Sequence, residues 1–196
     1  MGNPKLPAIS WFLLVAAMFV FPGCSINVAK NGEGEDKKVD IETPVGGIHV
    51  SKNADVRDTD LPVYPGARQK AEDNSGDEKS ANINISTGKF GLKVVAIEYE
   101  SDDTPDKVIA YYRERLKKFG SVLECHTSKH GGGVDADVKH DGGSSKPVTC
   151  QGDNSGSTTE LKVGTEDNQH IVSIQPEGKG SSFALVAVRT RGDSTI

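Results

Sequence analysis

Apolar and polar residues alternate at Val39-Asp40-Ile41-Glu42 and again at Ile48-His49-Val50, the two-residue period of a strand with one buried face. The intervening Thr43-Pro44-Val45-Gly46-Gly47 is rich in turn residues, so the pattern predicts a β-hairpin. Leu61-Pro62-Val63-Tyr64-Pro65-Gly66-Ala67 is apolar, but its two prolines exclude a central strand. Pro65-Gly66 suits the two central positions of a type II turn. Residues 68–80 are charged and read as loop. Alternation returns at Ala81–Ile85, then a Gly-rich turn at 88–91 leads into Leu92–Glu100, the best strand in the chain, with Val95, Ile97 and Tyr99 on one face.

The period then changes from two to 3.6. Val108, Ile109, Tyr112, Leu116 and Phe119 fall on one helical stripe, while Arg113, Glu114, Lys117 and Lys118 fill the other side. Thr104 as N-cap, Pro105 at the first helical position and Asp106 in the first turn make a start signal, and Gly120 ends the helix. Glu114 lies four residues before Lys118, the favourable order for a pair along the helix. Ser121–Cys125 reads as a returning strand. Glu160–Val163, His170–Ile174 and Phe183–Arg189, separated by polar turns, read as an antiparallel meander. A lone amphipathic helix must bury its stripe against something, and the sheet is the available partner. The expected fold is α+β, an antiparallel sheet with one principal amphipathic helix packed on one face, in a single domain over residues 39–196.

The pattern before residue 39 is of another kind. After Lys5, residues 9–21 form an apolar run of 13 residues broken only by Ser10. As a helix it would reach ~20 Å, short of the ~30 Å hydrocarbon core, which suits a signal-peptide core better than a membrane span. The run stops at Phe21-Pro22-Gly23-Cys24-Ser25. These residues resemble the lipobox of bacterial lipoproteins, where a short apolar run ends in a small residue before a cysteine. Gly23 and Cys24 match; Phe21 and Pro22 stand where an aliphatic and a small residue are usual. The resemblance implies a signal peptide over residues 1–23, acylation of the Cys24 thiol, cleavage before Cys24 and anchorage in membrane lipid. Ser25, rather than aspartate, implies the periplasmic face of the outer membrane. An ordinary leader with an incidental cysteine is the plainer alternative. Residues 24–38, polar and without an apolar period, read as a lipidated tether reaching roughly 20 Å.

A second resemblance rests on Leu61–Ala67 (LPVYPGA) and, about forty residues on, Asp102–Leu116 (DDTPDKVIAYYRERL). Together they look like a group of periplasmic lipoproteins that share such a loop and such a helix. The resemblance carries no activity onto residues of this chain. Ala110-Tyr111-Tyr112 is better read as helix packing than as a binding box.

Charge excludes several function classes. The net charge of −5 becomes −6 once residues 1–23, with one Lys and no acid, are removed. An acidic chain without a basic stripe is no nucleic-acid binder and would not adsorb broadly to anionic lipid. With Cys24 set aside, Cys125 and Cys150 remain, and two thiols in an oxidising compartment read as a disulfide closing a Gly-rich loop at about 127–147. The alternative is a metal site drawing on His126, His130 and His140 with the two cysteines and Asp135, Asp137 and Asp141, although the spacing matches neither a compact zinc motif nor an EF-hand. No serine sits in a nucleophile elbow and no phosphate loop is present. The expected protein is thus a membrane-anchored envelope lipoprotein. It should be non-enzymatic and need no cofactor, serving as a binding module for an envelope protein, an added strand or a polysaccharide. A metal-binding protein is the second possibility.

Overall fold

A computed structural model describes residues 25–29, 38–71, 79–128, 146–151 and 154–192. Its strands are β1 (Ser25–Ala29), β2 (Lys38–Thr43), β3 (Gly46–Ser51), β4 (Arg68–Gln69), β5 (Ser80–Thr87), β6 (Gly91–Ser101), β7 (Leu123–Thr127), β8 (Thr158–Thr165), β9 (Asn168–Glu177) and β10 (Gly180–Arg191). They form one antiparallel sheet in the order β1-β2-β3-β5-β6-β10-β9-β8-β7, with β4 continuing the line of β5 alongside β6. The single α-helix among the described residues, α1 (Pro105–Leu116), follows β6, and the chain then returns at the far edge of the sheet as β7. The fold is therefore mainly β, with one helix laid across three strands on its way between β6 and β7.

The helix face of the sheet carries the main core. Val108, Tyr112 and Leu116 of α1 are wholly buried against Ile97, Leu161, Val163, Val172, Ile174, Phe183 and Leu185. A stripe at helical spacing meets residues that alternate along strands, so each element contributes the one face its period selects. Burial of this kind stabilises by about 1.5–3 kcal/mol per large aliphatic or aromatic side chain. Phe183 sits at the centre, stacked on Tyr99 at 5.5 Å and tilted against Tyr112 at 5.6 Å between ring centroids.

The opposite face is apolar along much of the sheet. Val39, Val50, Ile83, Val94 and Val188 stand in register from β2 through β3, β5 and β6 to β10. Ile41, Ile48, Ile85 and Leu92 form a second row beside them. On the helix side the same outer strands carry Asp40, Glu42, His49, Asn82 and Asn84 instead, because α1 reaches only β8, β9 and β10.

Several local expectations need correction. The predicted hairpin forms, but its turn is only Pro44-Val45, since Thr43 and Gly46 already pair. Thr104 has the extended backbone of an N-cap, yet its side chain makes no capping bond. Glu114 pairs with Lys117 rather than Lys118, whose ammonium donates to the Asp60 carbonyl at 2.8 Å. The tether is corrected at its start. Ser25–Ala29 pairs with β2, Ser25 opposite Glu42 and Ala29 opposite Lys38, so the sheet begins there and not at residue 39. Residues 30–37 and the expected signal peptide lie outside the described residues. Charged residues 68–80 are not all loop either, since Arg68–Gln69 is β4.

Candidate functional site

The loop and helix that carry the second resemblance are packed on one another. Tyr64, Pro65, Gly66 and Ala67 make a turn closed by the Ala67 amide donating to the Tyr64 carbonyl at 3.0 Å. Gly66 takes φ +79°, the left-handed value that a type II turn needs and that glycine adopts without strain. The turn presents Tyr64 inward, where its ring meets Tyr111 edge-on at 5.1 Å and its hydroxyl donates to the Asp103 carboxylate at 2.9 Å. Tyr112, fully buried, donates to the Pro62 carbonyl at 3.1 Å. Both tyrosines of the Ala110-Tyr111-Tyr112 run thus hold helix to loop. Lys107 and the Tyr64 hydroxyl keep the Asp103 carboxyl below its ordinary value, while burial and then Asp103 push Tyr64 up. Arg68 closes the surface above by pairing with Glu100 and Asp102 at 3.1 and 3.0 Å.

The expected disulfide is present: Cys125 and Cys150 are bonded, with Cα atoms 5.4 Å apart. Its position says what it does. β7 is an edge strand, whose outward amides and carbonyls would otherwise be open to pairing. Cys150 ties the returning chain to that edge. The His126 amide donates to the Asn154 side chain at 2.6 Å, and the Ser128 hydroxyl donates to the Ser155 carbonyl at 3.1 Å. At Gly156 a Cβ would lie 1.8 Å from the Thr127 carbonyl oxygen, so only glycine lets the chain approach so closely. Cys150 and residues 154–156 therefore lie along one margin of the sheet.

With both sulfurs in the bond, neither supplies the thiolate that the metal reading required. His126 lies on β7 with its ring 3.5 Å from the Thr159 hydroxyl and 3.9 Å from the Glu124 carboxylate. His130, His140 and the three loop aspartates lie outside the described residues, as do Cys24 and the apolar run. Among the described residues no cluster of three metal-ligating side chains occurs, and no helix is long and apolar enough to cross a membrane.

One charged cluster escaped sequence reasoning. His170 on β9 is 4% exposed, with its ring stacked on Phe119 at 3.8 Å and Nε2 3.7 Å from the Asp60 carboxylate. Arg189 on β10 pairs with that same carboxylate and also donates to the Asp58 carbonyl. Lys93 pairs with the Asp58 carboxylate at 2.9 Å. Asp60 itself takes φ +56°, which turns the chain out of the 3₁₀ turn Val56–Thr59. Burial, and then Arg189, lower the His170 value. A ring stacked on Phe119 and facing a carboxylate already held by arginine is a strut, joining the 56–60 segment to the sheet. No spacing signal in the sequence joins positions 60, 170 and 189. A second hidden feature is the Lys162–Glu160 pair, 3.1 Å apart and buried to within 1% on the face away from α1. No protein-family model, curated protein or solved structure matches this chain.

Proposed function

We propose that this chain is an envelope lipoprotein, acylated at Cys24 and held on the periplasmic side of the outer membrane, that serves as a non-enzymatic interaction module. The observation that carries the reading is the Phe21-Pro22-Gly23-Cys24 segment after a 13-residue apolar run, ending where β1 begins at Ser25. Export to an oxidising compartment accords with the Cys125–Cys150 bond. The polar clusters described serve packing, and each has its partners in loop, helix or sheet. For interaction, the sheet has two margins. Cys150 and residues 154–156 line one; β1 forms the other and could accept a partner strand by backbone pairing.

Mass spectrometry of the amino-terminal peptide from membrane-extracted protein tests the anchor. The expected species starts at Cys24 and carries a diacylglyceryl group. An intact Met1 terminus, or an unmodified Cys24 thiol, refutes the reading. Crosslinking of the membrane-bound protein in intact cells, followed by identification of the captured chain, tests the interaction role.

A further inference from the structure

The lipoprotein reading leaves open how the domain sits on its membrane, and the start of β1 bears on that point. Ser25 pairs with Glu42, at the end of β2 that leads into the Pro44-Val45 turn. The residue before Ser25 is fixed to it by one peptide unit, ~3.8 Å between Cα atoms. Neighbouring strands lie only ~4.8 Å apart. An acyl chain on residue 24 is therefore attached within one residue of a corner of the sheet, beside that turn.

The same corner has a second, independent property. Among the described residues the exposed large hydrophobics are Val45, 77% exposed, and Ile48, 38% exposed. Val45 tips the β2–β3 turn; Ile48 lies on β3, on the aliphatic face of the sheet. Scattered single apolar residues on a surface need no explanation, but here the exposed ones lie beside the point where lipid would be attached.

We infer that the β2–β3 corner rests in the lipid interface, with Val45 and Ile48 in contact with the bilayer. The opposite end of the sheet, at the Gly178-Lys179 turn between β9 and β10, points away from it. This orientation depends on the acylation of Cys24 proposed above. It replaces a domain tumbling on a ~20 Å tether with one held at a defined attitude, so that β1 lies close to the membrane surface.

Tryptophan fluorescence tests it cleanly. The chain has one tryptophan, Trp11, within the segment expected to be removed. Val45→Trp, Ile48→Trp and, as the distal control, Lys179→Trp would be produced with the leader intact. Each purified lipidated protein would be reconstituted into vesicles of phosphatidylethanolamine and phosphatidylglycerol, with and without brominated acyl chains. Expected are blue-shifted emission and several-fold stronger bromine quenching for Val45→Trp than for Lys179→Trp, with Ile48→Trp between. Equal quenching at the two ends, with mass spectrometry showing acylated Cys24, overturns the orientation and leaves the anchor standing. Absence of the acyl group overturns both.

Discussion

Tyr64 and Asp103, 39 positions apart, are joined by a phenol-to-carboxylate hydrogen bond of 2.9 Å that locks the Pro-rich loop onto the start of α1. The same carboxylate accepts from Lys107 at 2.6 Å, and the Asp103 carbonyl accepts from the Ser181 hydroxyl at 2.9 Å. Loop, helix and β10 thus converge on one residue. A double-mutant cycle with Tyr64→Phe and Asp103→Ala should show the two changes costing less together than separately. Purely additive unfolding free energies would mean that the bond carries no stability. Tyr112→Phe, which removes the bond to the Pro62 carbonyl, should cost about 1 kcal/mol.

Two histidines tilt the pH dependence of stability in opposite directions. His170 has its folded value lowered by burial. Its contribution is complete above the ordinary value of 6.5 and is lost as the pH falls through the folded value below it. His49 donates to Asp40 at 2.7 Å and has its value raised by that bond. Its contribution is present below 6.5 and lost as the pH rises through the raised value. Urea unfolding between about pH 5 and about pH 8 should show His170→Gln removing part of the loss at acid pH, and His49→Gln removing part of the loss toward alkaline pH. An unchanged profile in either variant refutes the corresponding assignment.

Removing the disulfide should uncover an edge as well as loosen the chain. Cys125→Ser with Cys150→Ser is expected to lower stability by about 3–4 kcal/mol, from the entropy of a loop with its ends 25 residues apart. Amide exchange at His126 should accelerate more than at Val172 or Leu185 in the centre of the sheet. If β7 keeps its protection, the bond does not guard that edge.

Gly156 offers a separate check on the same margin. Gly156→Ala places a methyl against the Thr127 carbonyl and should destabilise; Gly88→Ala meets nothing within 4 Å and should not. Thermal unfolding of the two variants side by side decides the matter. Equal midpoints would show that the chain at Gly156 does not press on β7.

The buried Lys162–Glu160 pair should be costly to break and cheap to replace. Lys162→Met leaves a carboxylate buried to within 1% without its cation and is expected to cost about 3–5 kcal/mol. Adding Glu160→Leu should recover most of that loss. A double variant no more stable than the single one would show that desolvation of Glu160 is not the cause.

Much of this protein could be read from neighbouring residues alone. The strand around Val95, Ile97 and Tyr99, the helix that starts at Pro105 and the Pro65-Gly66 turn follow from periods and backbone preferences acting within a few residues, although the expected last turn, Lys117–Phe119, tightens to 3₁₀. The Cys125–Cys150 pairing followed from counting, because setting Cys24 aside left a single pair. β1 escaped because two apolar residues, Ile26 and Val28, are too few to set a period; only pairing with β2 makes them a strand.

Which strand lies beside which was settled by contacts distant in sequence. β6 pairs β10, some ninety residues later, and α1 therefore lies over β8 to β10 and leaves His49, Asp40 and Glu42 at the surface. The Asp60–His170–Arg189 cluster exists for the same reason: its members share no period and meet only once the sheet has closed around them. Side-chain patterning determines which face of an element is buried. Burial against partners far along the chain determines what that face meets, and here it placed the exposed valine beside the start of β1.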